Sequence, residues 1–436
     1  KPGLGKCGPK SPATASMTKA FSNQTAQCLP SAANLNPMST PRSISAHLDA
    51  VLALAPTPPA ESAAVDASLI GRVLAAAATA RFPVPPHANS AMDGFLVHAT
   101  DLSSPGPWTL PVAGDVPAGA LPIDVPAGHA VRIMTGTPVA DTAGMLVVPV
   151  ENTTTPAGPV ALPDEVTITD APTKSHIRPA GEDIQPGAPV ATAGTLVDAA
   201  VIAALTSAGV YSVSAYRRPR IAVISSGEEL VASPAQLAPG QLPDSNGPML
   251  AALCGADTHV HVGDAPADLA SALDELAPSH DLVITSGGVS AGAFDVVHTV
   301  LGRTVSSWFG HVDQRPGAPQ GYSLWNNTPV LCLPGNPVAA FVDFQLYARP
   351  LIAALSGRPA PRQRVNLRAR VDSPLPASRG RPTIVPVTVD FQAEPSITSH
   401  LPHGSHRIVS LSGTNGFCLI DTEPPALGDE TTVYLY

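Results

Sequence analysis

The chain has 436 residues, 44% of them apolar and only 13% charged, against roughly 25% charged in an average soluble protein. Its 24 basic and 34 acidic residues leave a net charge of −10, which argues against a nucleic-acid binder or an anionic-membrane ligand, because phosphate contacts need clustered Lys and Arg. The length divides into roughly two to four domains. Cys7, Cys28, Cys254, Cys332 and Cys418 are odd in number, far apart and without a C-x-x-C pair. That pattern excludes a zinc ribbon, an iron–sulfur site and a disulfide framework, and predicts free thiols in the cytoplasm. No apolar run of about 18 residues predicts a membrane span, and the N-terminal lysines lack the apolar segment of a secretory signal.

Residues 1–40 have no period and read as a disordered extension, with Met38 as a candidate natural start. From Ser43, Ile44, Leu48, Val51 and Leu52 recur at helical spacing until Pro56. Ala67–Ala80 reads as a second helix and Thr195–Ala208 as a third, closed by Gly209. Residues 82–175 are short apolar runs between Pro, Gly and Asp, the signal of strands. Residues 216–357 alternate. Strands are predicted at Arg220–Ser225, Thr258–Val262, Asp281–Thr285 and Val330–Leu333. Helices are predicted at Gly247–Cys254, Pro266–Leu276, Phe294–Leu301 and Val338–Leu355. Such an order implies a doubly wound, parallel sheet. Residues 358–436 return to short strands, a small all-β module. The resulting class is multi-domain α/β and β.

Ligands of a doubly wound sheet bind beyond the carboxyl ends of its strands. Three loops fall there: Ser225–Glu229, Thr285–Gly292 and Leu333–Pro337. Their glycines let the backbone approach a ligand, and N–H groups at the helix starts suit a phosphate. Ser286 and Ser290 are candidate donors to it, and Asp295 begins the next helix. Asp244, Ser245 and Asn246 form a run that either simply caps the next helix or also faces the crevice. Outside this domain, Asn89–Gly94 and Arg178–Ile184 are polar knots whose carboxylates suit either a hard cation or turn chemistry.

Seven runs stand in one order: PPHANSAMDG, IMTGTPV, RPAGEDI, SSGEEL, PDSNGPML, TSGGVSAGAFDVV and LPGNPV. Together they resemble the molybdopterin molybdenumtransferases, the MoeA proteins and the gephyrin E domain, over residues 43–436. The resemblance implies four parts. These are a discontinuous helical domain (41–81 and 176–212), a β-rich lobe (82–175), an α/β molybdopterin-binding domain (213–357) and a C-terminal β-barrel (358–436). It implies a homodimer in which the α/β domain of one subunit faces the lobe of the other. It also implies insertion of molybdate into adenylylated molybdopterin, with release of AMP and use of Mg2+, and the molybdopterin adenylyltransferase as a partner.

Carried over by motif, Asp93, Glu182 and Glu228 are the catalytic carboxylates, and with Asp264 they are the metal ligands. Ser90, Thr135, Ser226, Asp244, Asn246, Gly287, Gly288, Ser290, Asp295, Arg315, Pro334 and Asn336 are the substrate-binding residues. Several positions depart from the family pattern. Glu228 stands for the usual Asp. Arg315 and Ala318 stand for the two lysines of K-P-G-K-P. Ala339 replaces a serine, Met145 an acid, and His87 an aspartate. Losing Lys and Ser removes donors that an oxyanion needs. His406 and Arg407 are candidate replacements. A second reading therefore stands beside the enzyme: a catalytically impaired pterin-binding or scaffold dimer.

Overall fold

A computed structural model describes residues 40–117, 119–232, 236–289, 295–400 and 403–436. The expected disorder of residues 1–40 therefore falls, Thr40 apart, outside the described residues.

The α/β body is a six-stranded sheet. Its order is Thr258–Val262, Ile221–Ser226, Leu282–Ser286, Thr328–Leu333, Pro319–Trp325, Trp308–His311. The first four strands are parallel. Ile221–Ser226, Leu282–Ser286 and Thr328–Leu333 are buried along their whole length. Side chains alternate between two cores, as a pleat requires. Ile221, Val223, Leu282 and Ile284 meet Leu250, Val338, Val342 and Leu351 on one face. Ala222, Ile224 and Val283 meet Leu269, Leu273, Val296 and Leu301 on the other. Helices thus cover both faces, as the alternation predicts. The antiparallel edge was not foreseen. It is folded back by Asn326 and Asn327, whose φ of 50° and 69° suit a tight hairpin turn between Trp325 and Thr328.

Two predicted helices change on folding. Ala67–Ala80 is not a helix. Asp66 caps a single 3-10 turn, Ala67–Leu69, and Gly71 at φ +80° ends it. The rest is extended: Leu74 N donates to Thr195 O (2.9 Å), and Ala75 N to Ser214 O (2.9 Å). Leu69, Leu74 and Ala78 are buried with Leu205 and Val213. Tertiary burial overrides the helix propensity of an alanine-rich run. The helix Ala199–Ser207 does form, capped by Asp198 Oδ1 on Val201 N (2.9 Å).

The long predicted helix 338–355 is interrupted. Pro337–Asp343 is α-helical, Phe344–Ala348 is a π-helical turn, and Arg349–Leu355 resumes the α-helix. Pro350 has no N–H to offer the carbonyl of Leu346. Arg364 Nη2 supplies the missing donor, reaching Leu346 O (2.9 Å) and Gln345 O (3.1 Å). By length and composition, Pro337–Leu355 could cross a membrane, yet most of it is packed in the core of the α/β body.

Helix Ile44–Leu52, capped by Ser43, packs against this segment rather than against Ala199–Ser207. His47 is wholly buried there, its ring 4.7 Å from Tyr347 and 4.8 Å from Trp308. Residues 60–79 pair instead with 189–216. The lobe is a five-stranded sheet in the order Met145–Pro149, Gly94–His98, Ala130–Ile133, Trp108–Val116, Glu165–Ile168. The C-terminal module closes as a five-stranded barrel around Val371, Val385, Val387, Ile397 and Val433.

Candidate functional site

Two of the three loops at the carboxyl ends of the parallel strands, those that begin at Thr285 and at Leu333, are tied by one side chain. Asn246 Nδ2 donates to Ser286 Oγ (2.9 Å) and to Gly335 O (2.8 Å). Its Oδ1 is buried and has no hydrogen-bond partner among the described residues. Ser286 Oγ donates to Pro334 O (3.3 Å), so this hydroxyl is committed inside the protein instead of facing a phosphate. Ser226 Oγ reaches Ser286 O (3.4 Å). Asp244 accepts from Ser225 Oγ (2.6 Å) and from Gly247 N (2.9 Å), fixing the start of helix Asn246–Cys254. Gly287 and Gly288 take φ of +99° and +62°, and a Cβ on Gly288 would lie 3.0 Å from Val297 N. Only glycine suits both positions. Ser290 lies outside the described residues. Asp295 stands at the N-cap of Val296–Leu301, its carbonyl accepting from Thr299 N (3.0 Å).

The Leu333–Pro337 loop also walls a cleft of about 570 Å³ between the α/β body and the barrel. Arg315, Pro334, Asn336 and Ala339 line it from the first, and Arg379, Arg381, His400 and His403 from the second. Arg381 pairs loosely with Asp313 at 3.8 Å. Burial pushes the His403 imidazole down, against a hydrogen bond to the Pro374 backbone that raises it. His403 is therefore neutral near pH 7, and the arginines carry the positive charge. Composition did not single out Arg379, Arg381, His400 or His403. For the two arginines the signal was the R-G-R-P run at Arg379–Pro382. The cleft is lined by His403 and Ser405, and the expected His406 and Arg407 are not among its lining residues.

The lobe holds the other carboxylates. Asp93 Oδ1 accepts from Thr135 N (2.7 Å) and Thr135 Oγ1 (2.8 Å). That backbone N–H, then the hydroxyl, holds the Asp93 carboxyl below the usual carboxylate range. Ser90 is fully buried, and its hydroxyl donates to Met92 O (2.6 Å), so it shapes the turn that presents Asp93. Glu182 is exposed on a turn pinned by Gly181 N to Pro85 O (2.9 Å). Asn89 pairs with Arg178 and Ser90 with Ile177, antiparallel. This short ribbon sends Asp93 and Glu182 away from opposite ends.

Glu228 and Asp264 are both exposed and adjacent, with Asp264 N donating to Glu228 Oε1 (3.3 Å). Their carboxylate oxygens are the donor type that Mg2+ prefers. Among the described residues, however, no three His, Cys, Asp or Glu side chains converge on one point. The expected metal set Asp93, Glu182, Glu228 and Asp264 is thus not assembled within a single copy. Of the departures, Met145 is buried among Leu96, Ile133 and Val147, so an acid there would enter a core. His87 lines a separate cleft of about 1110 Å³ in the lobe.

Comparison with known proteins bears directly on this geometry. Residues 42–209 match the MoeA N-terminal region (domain I and II), residues 222–354 the "Probable molybdopterin binding domain", and residues 368–436 the MoeA C-terminal region (domain IV). Molybdopterin molybdenumtransferase 2 of Mycobacterium tuberculosis is 37% identical over 84% of this chain and 92% of its own length. The molybdopterin molybdenumtransferase of Nostoc sp. is 32% identical over 80% of this chain and 82% of its own. A crystal structure of the molybdopterin biosynthesis MoeA protein from Pyrococcus horikoshii superposes with a TM-score of 0.71. It is 25% identical and covers 91% of this chain and 99% of its own. The chain belongs to the MoeA family of molybdopterin molybdenumtransferases, the transferases of molybdenum cofactor biosynthesis.

Proposed function

We propose that the protein inserts molybdate into adenylylated molybdopterin and releases AMP, as a cytoplasmic homodimer using Mg2+. The observation that carries this reading is the Leu333–Pro337 loop, shared between the Asn246 knot and the arginine-lined cleft. One loop thereby borders both the glycine loop at the strand ends and the arginine-lined cleft. Asn246 Oδ1, a buried acceptor without a donor among the described residues, fits an N–H of the pterin. Gly287 and Gly288 let the backbone reach the pterin's phosphate. Arg315, Arg379 and Arg381 hold the molybdate oxygens by charge-assisted hydrogen bonds.

Glu228 and Asp264 of one copy, with Asp93 of a second, would hold Mg2+, while Glu182 leaves the lobe ribbon at its other end. That ion would neutralise charge developing on the cleaved phosphoanhydride. A site completed by two copies accounts for the carboxylates that stay apart in one. The adenylyltransferase that supplies the substrate is the proposed partner. Against the scaffold reading, the positive charge missing at Ala318 is present in the cleft at Arg379 and Arg381.

The test is AMP release from adenylylated molybdopterin with Mg2+ and molybdate. The wild type should release AMP in a molybdate-dependent manner, and Asp93→Ala should lose at least tenfold. No release, with Asp93→Ala indistinguishable from wild type, rejects the proposal. Sedimentation velocity tests the dimer.

A further inference from the structure

The rim of the arginine cleft, residues 314–319, is held from two sides. From the barrel, Arg315 N donates to Pro382 O (2.8 Å), and Ile384 N donates to Arg315 O (2.8 Å). From the interior it rests on Asp343, the last residue before the π-helical turn. Gln314 Nε2 donates to Asp343 Oδ1 (2.6 Å) and to Pro316 O (2.8 Å). The Tyr347 hydroxyl donates to Gln314 Oε1. Gln320 Nε2 donates to Gly317 O (2.7 Å). Gly317 has φ +84°, and it lies so close to Asp343 that a Cβ would overlap both carboxyl oxygens.

Every side chain in this network is buried, Asp343 at 0% exposure. Asp343 Oδ2 has no hydrogen-bond partner among the described residues. A bare carboxylate is strongly disfavoured in such a place, whereas the uncharged acid is tolerated. Burial pushes the Asp343 carboxyl well above the usual carboxylate range, with the Gln314 bond opposing. Tyr347 faces Asp343 along the same helical segment. Behind Tyr347 stand His47, ring to ring at 4.7 Å, and Arg364, which donates to the Gln345 and Leu346 carbonyls. An ionised Asp343 would also place a negative charge under a site meant for an anion. The neutral acid gives Gln314 its acceptor without that repulsion.

We propose that Asp343 is a positioning residue for the transferase. As an uncharged acid it holds Gln314 and Gly317, and through them fixes Arg315 at the mouth of the oxyanion cleft. This deepens the reading of the cleft as the molybdate site and rests on it. The residue acts through the loop and touches no substrate.

The experiment uses the full chain. Molybdate affinity is measured by calorimetry, and AMP release is measured at varied molybdate and at varied adenylylated molybdopterin. Asp343→Leu should weaken molybdate Kd and KM about tenfold and leave the KM for adenylylated molybdopterin within about twofold. Asp343→Asn keeps a neutral head and the acceptor, and should restore molybdate affinity to within about twofold of wild type. Gln314→Leu cuts the same bond from the other end, should match Asp343→Leu, and decides the matter if the latter does not fold. Wild-type molybdate affinity in either folded Leu variant overturns the proposal, as does an Asn variant as impaired as Leu.

If the wild type binds no molybdate, the cleft reading itself fails. Hydrogen exchange then decides the positioning role. Amides of residues 314–320 should exchange at least tenfold faster in Asp343→Leu. Equal protection overturns the role.

Discussion

Asp93 gathers both donors of Thr135 on a single oxygen: Oδ1 accepts the backbone N–H at 2.7 Å and the hydroxyl at 2.8 Å. Two motifs 42 residues apart are thereby joined at one carboxylate. Asp93 itself stands exposed on its turn.

Thr135→Val removes the hydroxyl and leaves the N–H. The Asp93 carboxyl is held low in the native protein, so its ionised form persists above that depressed pKa and is lost as pH falls through it. In the variant the acid limb of AMP release should move to higher pH, with the alkaline limb unchanged. The loss near neutral pH should be roughly threefold to tenfold. An acid limb that does not move would remove Asp93 from the rate-controlling step.

Gly288→Val puts a β-branched residue at φ +62°, with its Cβ 3.0 Å from Val297 N. Such strain costs about 1–3 kcal/mol, too little to unfold a chain of this size. Molybdopterin binding should be abolished while the circular dichroism spectrum stays native. Unchanged binding would take the glycine loop out of the site.

Arg315→Ala removes one of three guanidinium groups in the cleft. Molybdate KM should rise about tenfold to a hundredfold, since a hydrogen bond to a charged group contributes about 1.5–3 kcal/mol. Arg315→Lys should recover only part of this, because an ammonium lacks the planar fork. A molybdate KM unaltered in Arg315→Ala would place the anion elsewhere.

His47 is pushed down to about 3, chiefly by burial and then by the Arg42 charge, and is neutral in the native protein. The unfolded chain takes up that proton below about pH 6.5. Stability should therefore fall as pH drops from about 6.5 towards 3, by roughly 1.4 kcal/mol per pH unit from this residue alone. His47→Phe should flatten that acid slope in denaturant titrations. Identical slopes for both proteins would mean that His47 is solvated.

The parallel sheet and its flanking helices were legible because buried strands such as Ile221–Ser226 are unbroken apolar runs and Pro266–Leu276 keeps a clean helical stripe. Where local signal and tertiary demand disagreed, the sequence misled. Ala67–Ala80 has helical composition, but its backbone groups find partners more than a hundred residues away, such as Thr195 and Ser214. The π-helical turn was invisible because its cause is split between Pro350 and Arg364.

The site followed the same rule. Motif residues at strand ends, such as Asn246 and Gly288, sit where the alternation places them. Arg379 and Arg381 belong to the barrel, and only folding brings them beside Arg315. Nor could sequence tell which hydroxyls point outward: Ser90 and Ser286 turn in, to Met92 and Pro334.

The carbonyl of Pro334 accepts from Ser286 on one side of the turn, while Pro334 and Asn336 form the cleft wall on the other. If the pterin and molybdate bind as proposed, they lean on the same few residues, and any coupling between them is reciprocal. By linkage, whatever factor molybdate contributes to pterin affinity, the pterin must return to molybdate. On that reading the turn is the part of the fold through which occupancy of one site would alter affinity at the other.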